Sequence, residues 1–314
     1  MRDIRIVFMG TPHFAVTILK HLVENNQTIV GVITAVDKPA GRGRKLHQSA
    51  VKKYALSKNL PILQPKNLKN KDFQKELKAL KANLQIVVAF RMLPKSVWQM
   101  PVFGTFNLHA SLLPAYRGAA PIHWAIINGE TKTGVTTFFI DDTIDTGEII
   151  LQEETSIADN ETVGTLHDTL MFLGAKLVLK TVDLIKTGNV TTTKQPTLEE
   201  KAAPKLYPEN CKINWSDSID AVYNKIRGLN PFPTAWSILK NGDDEILAKM
   251  YAIKKEREKH QYPIGKILTT KKEIRVAVKD GYIRINEIKL AGKKKMDAQS
   301  LLNGFTFSTK AKMI

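Results

Sequence analysis

Leu84-Gln85-Ile86-Val87-Val88-Ala89-Phe90 decides the fold. The run is almost continuously apolar, as a strand buried on both faces must be. Such strands sit in parallel sheets covered by helices on either side. Upstream, Ile4–Met9 reads as a first strand, 13–24 as a helix and 28–34 as a second strand. A polar loop is expected at 35–47, a helix at 48–58 and a Lys-rich helix at 70–81. Downstream the pattern continues with a strand at 104–109, a helix at 121–128, a strand at 133–140 and a long helix at 161–187. Strands alternating with helices over short connections define an α/β domain with a mostly parallel sheet.

The pattern then changes. Residues 188–207 carry Thr, Pro and Lys with little periodicity and read as a linker between a domain at 1–187 and another at 208–314. In the latter, 246–253, 264–270, 273–279 and 281–290 are short and β-rich. Turn signals such as Asn241-Gly242 and Asp280-Gly281 separate them. A small antiparallel barrel fits this spacing.

The chain has 314 residues, enough for two domains at about 150 residues each. It is 43% hydrophobic and 25% charged, which excludes a disordered chain, a collagen and a mucin-like stalk. No stretch approaches the roughly 20 apolar residues of a membrane helix. Cys211 is the single cysteine, so an intrachain disulfide framework and a Cys-rich zinc module are excluded. Met1-Arg2-Asp3 leads straight into the first strand, without a secretory pattern, and the expected compartment is the cytoplasm. No membrane partner is expected, and a monomer is the default.

Charge is the extreme feature. Lys and Arg number 47 against 30 Asp and Glu, a net charge of +17. Residues 208–314 hold 21 basic and 12 acidic side chains, making this part about twice as basic per residue as the rest. An excess of this size attracts polyanions, and nucleic acid is the leading partner. A basic barrel beside an α/β domain suggests one part that holds RNA while the other does chemistry.

Ligands of open α/β sheets bind beyond the carboxyl ends of the strands. Gly10-Thr11-Pro12-His13 lies there but is not a dinucleotide fingerprint, and no GxxxxGK[ST] loop is present. These absences count against a nicotinamide oxidoreductase and a P-loop NTPase. The densest polar stretch is Asn107-Leu108-His109-Ala110-Ser111-Leu112-Leu113-Pro114. Strand alternation points Asn107 and His109 to one face, at a carboxyl end. An amide beside an imidazole supplies an oxyanion donor and a proton carrier. Strand 133–140 runs into Asp141-Asp142-Thr143-Ile144-Asp145-Thr146-Gly147, from which one carboxylate can reach His109. A carboxylate there favours the charged ring and fixes its orientation. A metal held by these aspartates lacks a second set of ligands at suitable spacing, so no metal is expected. No nucleophile stands out, which favours direct transfer between two bound substrates over a covalent enzyme intermediate. Asp37-Lys38-Pro39-Ala40-Gly41-Arg42-Gly43-Arg44-Lys45 projects from the same edge, with basic side chains suited to phosphates.

Together these motifs resemble the methionyl-tRNA formyltransferase family. The similarity rests on Phe8-Met9-Gly10-Thr11-Pro12, the Asp37–Gly43 loop and Asn107–Pro114. It continues through Tyr116-Arg117-Gly118-Ala119-Ala120-Pro121-Ile122, Asp145-Thr146-Gly147, Ile213-Asn214-Trp215 and Asn230-Pro231-Phe232-Pro233. It covers nearly the whole chain. Arg91 stands where a Gly is common in the family, and Ala115-Tyr116 where a basic residue and Trp are frequent.

The resemblance implies a Rossmann-like formyltransferase domain and an OB-like C-terminal barrel on the tRNA. It implies 10-formyltetrahydrofolate as co-substrate and initiator methionyl-tRNA as acceptor. Asn107, His109 and Asp145 become the catalytic residues. Ser111, Leu112, Leu113 and Pro114 become the donor-binding segment, and Lys38, Arg42, Arg44 and Lys45 the tRNA-binding loop. Two other readings stay open from the residues alone. One is a folate-dependent formyltransferase acting on a small amine, a glycinamide ribonucleotide or a nucleotide amino sugar. The other is an RNA-binding protein on an α/β scaffold.

Overall fold

The computed structural model describes residues 1–40, 45–196 and 201–314. Contacts divide them into two compact units. The first comprises Met1–Gly118, Thr133–Thr155 and His167–Ala202; the second comprises Ala119–Lys132, Ser156–Leu166 and Ala203–Ile314.

The first unit is built on a seven-stranded sheet. In chain order the strands of this half are β1 (Arg5–Gly10), β2 (Thr28–Ile33), β3 (Lys38–Ala40), β4 (Lys45–His47) and β5 (Ile62–Leu63). They continue with β6 (Leu84–Val88), β7 (Thr105–His109), β8 (Lys132–Phe139) and β9 (Ile149–Ser156). The sheet order is β5-β2-β1-β6-β7-β8-β9. From β5 to β7 every pair is parallel, and β8 runs antiparallel to β7. The carboxyl ends of β1, β2, β6 and β7 therefore share one edge. Helices α1 (His13–Glu24), α2 (Ala50–Ser57), α3 (Lys71–Ala79) and α4 (Lys95–Trp98) make the crossovers. The helix α6 (Val163–Thr187) comes after α5 (Pro121–Ile127) in the chain.

The central strand explains the sheet. All five residues of β6 are buried, including Gln85, whose Oε1 accepts the Thr105 hydroxyl at 3.0 Å. A buried amide is tolerable only with such a partner. Helix starts are capped as their sequences require. Ser49 Oγ accepts from Lys52 N at 3.0 Å at the head of α2. Asn70 Oδ1 accepts from Asp72 N and Phe73 N at the head of α3.

The expected polar loop at 35–47 holds a two-stranded hairpin instead, with Lys38 opposite His47 and Ala40 opposite Lys45. Its root is charged and tightly bonded. Asp37 accepts from Lys52 Nζ at 2.6 Å and from Gln64 Nε2 at 2.9 Å. These hydrogen bonds, the Lys52 one foremost, hold the Asp37 carboxyl below its usual range.

The second unit contains α5, α7 (Ile219–Arg227) and a β-rich region. Its strands are β10 (Ala235–Asn241), β11 (Asp244–Met250), β12 (Ile253–Arg257), β13 (Ile267–Thr269) and β14 (Ile274–Val278). After them come β15 (Gly281–Ile285), β16 (Glu287–Leu290), β17 (Met296–Asp297), α8 (Ala298–Leu302) and β18 (Lys312–Met313). The pairing closes on itself. β10 pairs β11, and the β11–β12 stretch runs antiparallel along β16 and β15. β15 pairs β14, and β14 pairs β13. A bridge between Lys266 and Lys312 then joins β13 to β18, which pairs β10. This is the small antiparallel barrel that the turn spacing predicted, and closure removes the exposed edges.

The barrel core includes Trp215, Ile226, Leu239, Val276 and Ile283, with Ile127 of α5 packed against it. Arg227, almost fully buried, donates to the carbonyls of Ala158 (3.3 Å) and Glu161 (3.0 Å), which binds the 156–166 stretch to α7. No helix of the described residues is long and apolar enough to cross a membrane.

Candidate active site

Asn107 and His109 close β7 at the carboxyl edge of the sheet. Asn107 lies opposite Val87 on one side and Phe138 on the other; His109 lies opposite Thr136. His109 is 6% exposed. Its Nε2 lies 2.9 Å from the Tyr116 carbonyl oxygen. A carbonyl only accepts, so Nε2 carries the proton and donates. Nδ1 is left facing Asp145, whose Oδ2 is 3.8 Å away. The Asp145 side chain is 14% exposed, and Gly118 N donates to the same Oδ2 at 3.0 Å. The imidazole and the carboxylate are thus an adjacent, largely buried pair, as the sequence led us to expect.

Asn107 differs from both. Its Oδ1 is buried and makes no hydrogen bond among the described residues. Native interiors rarely leave such an atom alone, and each exception calls for an explanation, a catalytic role among them. The amide is therefore free to address a substrate on the face shared with His109.

The loop after β7 is rigidly held. Thr136 Oγ1, fully buried, donates to Ser111 O at 2.7 Å and accepts from Leu113 N at 3.2 Å. Gln152 Nε2 donates to Leu113 O and to Thr136 Oγ1, both at 2.9 Å. Ser111 Oγ is spent on Ala115 O at 2.6 Å. Ser111 and Leu113 are buried, while Leu112 and Pro114 are half-buried. Within 111–114, the side chains with surface to offer a ligand are those of Leu112 and Pro114.

One member of the pair and one neighbour adopt the left-handed backbone region. Tyr116 has φ +63° and Asp145 has φ +57°. Such conformations cost about 1–3 kcal/mol each and persist when their surroundings dictate them. The surroundings are visible. Tyr116 N donates to Lys201 O at 2.6 Å. Gln195 Nε2 donates to the carbonyls of Asp145 (2.9 Å) and Gly147 (2.8 Å), and its Oε1 accepts from Arg117. Gly147 has no room for a side chain: a Cβ there would lie 1.6 Å from the Phe139 carbonyl oxygen.

Sequence reasoning missed Thr136, Gln152 and Gln195. Each is a common polar residue whose role depends on long-range contacts. Tyr116, Arg117 and Gly118 were visible as part of a motif, but their bonds were not. Gln195 falls in the segment read as a linker, where Thr193 also bridges Ile149 of β9.

The basic loop rises from the same edge, since β2 is parallel to β1, β6 and β7. Lys38 is exposed on β3, and Lys45 opens β4. Arg42 and Arg44 lie outside the described residues. Arg91 donates to the carbonyls of Pro65 and Lys66, tying the loop after β6 to the loop after β5.

Residues 4–182 match the formyl transferase family, and residues 205–306 match the formyl transferase C-terminal domain. The methionyl-tRNA formyltransferase of Flavobacterium johnsoniae is 59% identical over 314 residues, covering 100% of both chains. That of Bacteroides thetaiotaomicron is 52% identical over 317 residues, covering 99% of this chain and 98% of its own. Among solved structures, an N-formyltransferase from Helicobacter canadensis, in complex with folinic acid and dTDP-3-aminofucose, superposes with a TM-score of 0.66. It is 22% identical, and the match covers 90% of this chain and 98% of that one. HypX from Aquifex aeolicus in complex with tetrahydrofolic acid gives a TM-score of 0.65 at 19% identity, covering 96% of this chain and 47% of that one. These two likenesses speak to the fold. The full-length sequence identity goes further, and with the two family matches it establishes that the chain is an enzyme of the formyl transferase family, in its methionyl-tRNA formyltransferase branch.

Proposed function

We propose that the chain transfers the formyl group of 10-formyltetrahydrofolate to the α-amino group of methionine esterified to initiator tRNA. The observation that carries the reading is the Asn107 amide, buried and unbonded through Oδ1, on the strand face that holds the His109–Asp145 pair.

The donor supplies an activated formyl carbonyl. In the transfer, the methionyl nitrogen bonds the formyl carbon and the bond from that carbon to the donor nitrogen breaks. The proton lost by the amine ends on that nitrogen. The protein's residues lower the barrier. Asn107 turns its amide so that Nδ2 donates to the formyl oxygen as negative charge develops there. One such donor contributes about 10²–10³ in rate. His109 donates through Nε2 to Tyr116 O in the resting site, so Nδ1 is where a proton is held or moved. Asp145, fixed by Gly118 N, orients the ring and takes up the amine proton. Leu112 and Pro114 offer apolar surface to the donor, and Ser111 and Leu113 contribute backbone.

The basic segment at 38–45 grips the acceptor end of the tRNA through Lys38, Arg42, Arg44 and Lys45. The barrel at 208–314, net +9, holds RNA by charge. The division into a catalytic part at 1–187, a connecting segment at 188–207 and a tRNA-binding part at 208–314 belongs to the same proposal. So do a monomeric state and a cytoplasmic location.

The test is to incubate the protein with 10-formyltetrahydrofolate and methionine-charged initiator tRNA, with charged elongator methionine tRNA as control. Formylmethionyl ester on the initiator alone is expected. No product on either tRNA, with the donor still bound, would overturn the reading and move the acceptor to a small amine.

A further inference from the structure

We infer that Gln195 is a positioning residue for catalysis, acting through the main chain of Asp145; the inference rests on the catalytic reading proposed above. The residue lies in a polar stretch. From Thr191 to Pro196 every residue is exposed except Gln195, which is half-buried. Its amide sits at the centre of a four-bond cluster. Nε2 donates to Asp145 O at 2.9 Å and Gly147 O at 2.8 Å. Oε1 accepts from Arg117 Nη2 at 2.6 Å and Nε at 3.2 Å.

The partners fix the amide's orientation. A guanidinium only donates and a carbonyl only accepts, so the oxygen must face Arg117 and the nitrogen must face the loop. Arg117 also polarises the amide, which strengthens the two N–H donors.

The consequence falls on Asp145. Its backbone is held left-handed at φ +57°, which aims the carboxylate at His109 Nδ1, 3.8 Å away, and at Gly118 N. The Thr193–Ile149 bridge places Gln195 beside this loop, and Gln195 clamps the loop on both sides of Thr146. Without the clamp the carbonyls of Asp145 and Gly147 lose their amide donor, and the carboxylate is free to swing from the ring. Displacement of a reacting group by about 1 Å can cost about 10²-fold in rate.

Two substitutions separate the halves of the cluster. Gln195→Ala removes all four bonds. Gln195→Glu keeps the shape and still accepts from Arg117, but cannot donate to either carbonyl. Steady-state kinetics of both, with thermal melts to confirm folding, would be set beside Asp145→Asn and the double variant Asp145→Asn/Gln195→Ala. We expect both single Gln195 variants to lose about 10–10²-fold in kcat. Their KM for the donor and for charged tRNA should stay within about threefold of wild type. On the Asp145→Asn background, Gln195→Ala should add less than about twofold, since residues acting as one unit are not additive. A Gln195→Glu enzyme with wild-type kcat would overturn the inference, because the loop would then need only the anchor to Arg117. A multiplicative loss in the double variant would also overturn it. If Asp145→Asn itself keeps wild-type kcat, the catalytic reading fails, and with it any role for Gln195 through Asp145.

Discussion

His109 Nδ1 and Asp145 Oδ2 stand 3.8 Å apart, and one short turn pins both. Tyr116 O accepts from the far side of the imidazole, and Gly118 N donates to the carboxylate oxygen. The turn thus sets the ring's tautomer and the carboxylate's position together. Asp145→Asn keeps the shape but removes the charge. It should lower kcat by about 10² or more, the usual scale for a positioned proton acceptor, with little change in KM. Steady-state formylation of charged tRNA checks this; a wild-type kcat would dissociate Asp145 from the chemistry.

Gly147 tests the loop that carries Asp145. A methyl group there would meet the Phe139 carbonyl oxygen at 1.6 Å, so backbone must move. Gly147→Ala should cost about 1–3 kcal/mol or more, as overpacking does, and should lower kcat as the loop shifts. Urea unfolding reports the first effect. An unchanged midpoint would mean that the loop yields freely.

Ser237 tests the barrel. Its hydroxyl, fully buried, accepts from Trp215 Nε1 at 2.8 Å and donates to Ile314 O at 2.8 Å. Ser237→Ala strands the buried Trp215 Nε1 donor, while Ile314 O keeps its bond from Ile238 N, and should destabilise by about 1–3 kcal/mol. Chemical denaturation followed by tryptophan fluorescence measures it. A neutral result would show that the Trp215 indole does not depend on the hydroxyl.

Asp37 predicts an acid response. Its carboxyl pKa lies below the ordinary value of 3.8 because Lys52 and Gln64 donate to the charged form. A lowered carboxyl contributes stability that is complete above the unfolded pKa and is lost as pH falls through the folded one. Wild type should therefore exceed Asp37→Asn in stability at pH 7, and the gap should narrow as pH falls below 3.8 and through the lowered pKa of the folded state. Denaturant midpoints of both proteins at several pH values decide this. A gap that does not vary with pH would remove the ionised carboxylate as its source.

The elements legible in the sequence were those whose neighbours enforce a simple pattern. β6 is buried on both faces, and its run is accordingly apolar. Asn107 and His109 share a face because strands alternate. β9 escaped notice because five of its eight residues are only partly covered or exposed polar ones, so the apolar signal stops after Leu151. The paired strands Lys38–Ala40 and Lys45–His47 are short and polar, and their root is held by Asp37, Lys52 and Gln64 rather than marked by periodicity. Gln195 had no local signal at all, since its partners lie about 50 and 78 positions away in the chain. The grouping of α5 with the barrel rests likewise on distant contacts, such as Ile127 against the barrel core.

The most direct test of the account is the turnover of Asn107→Ala with 10-formyltetrahydrofolate and methionine-charged initiator tRNA. The amide has no structural bond through Oδ1 to lose, so the variant should fold and bind donor normally. The account predicts a kcat lower by about 10²–10³-fold, the cost of one preorganised oxyanion donor. A kcat near wild type would contradict it and place the reacting carbonyl elsewhere.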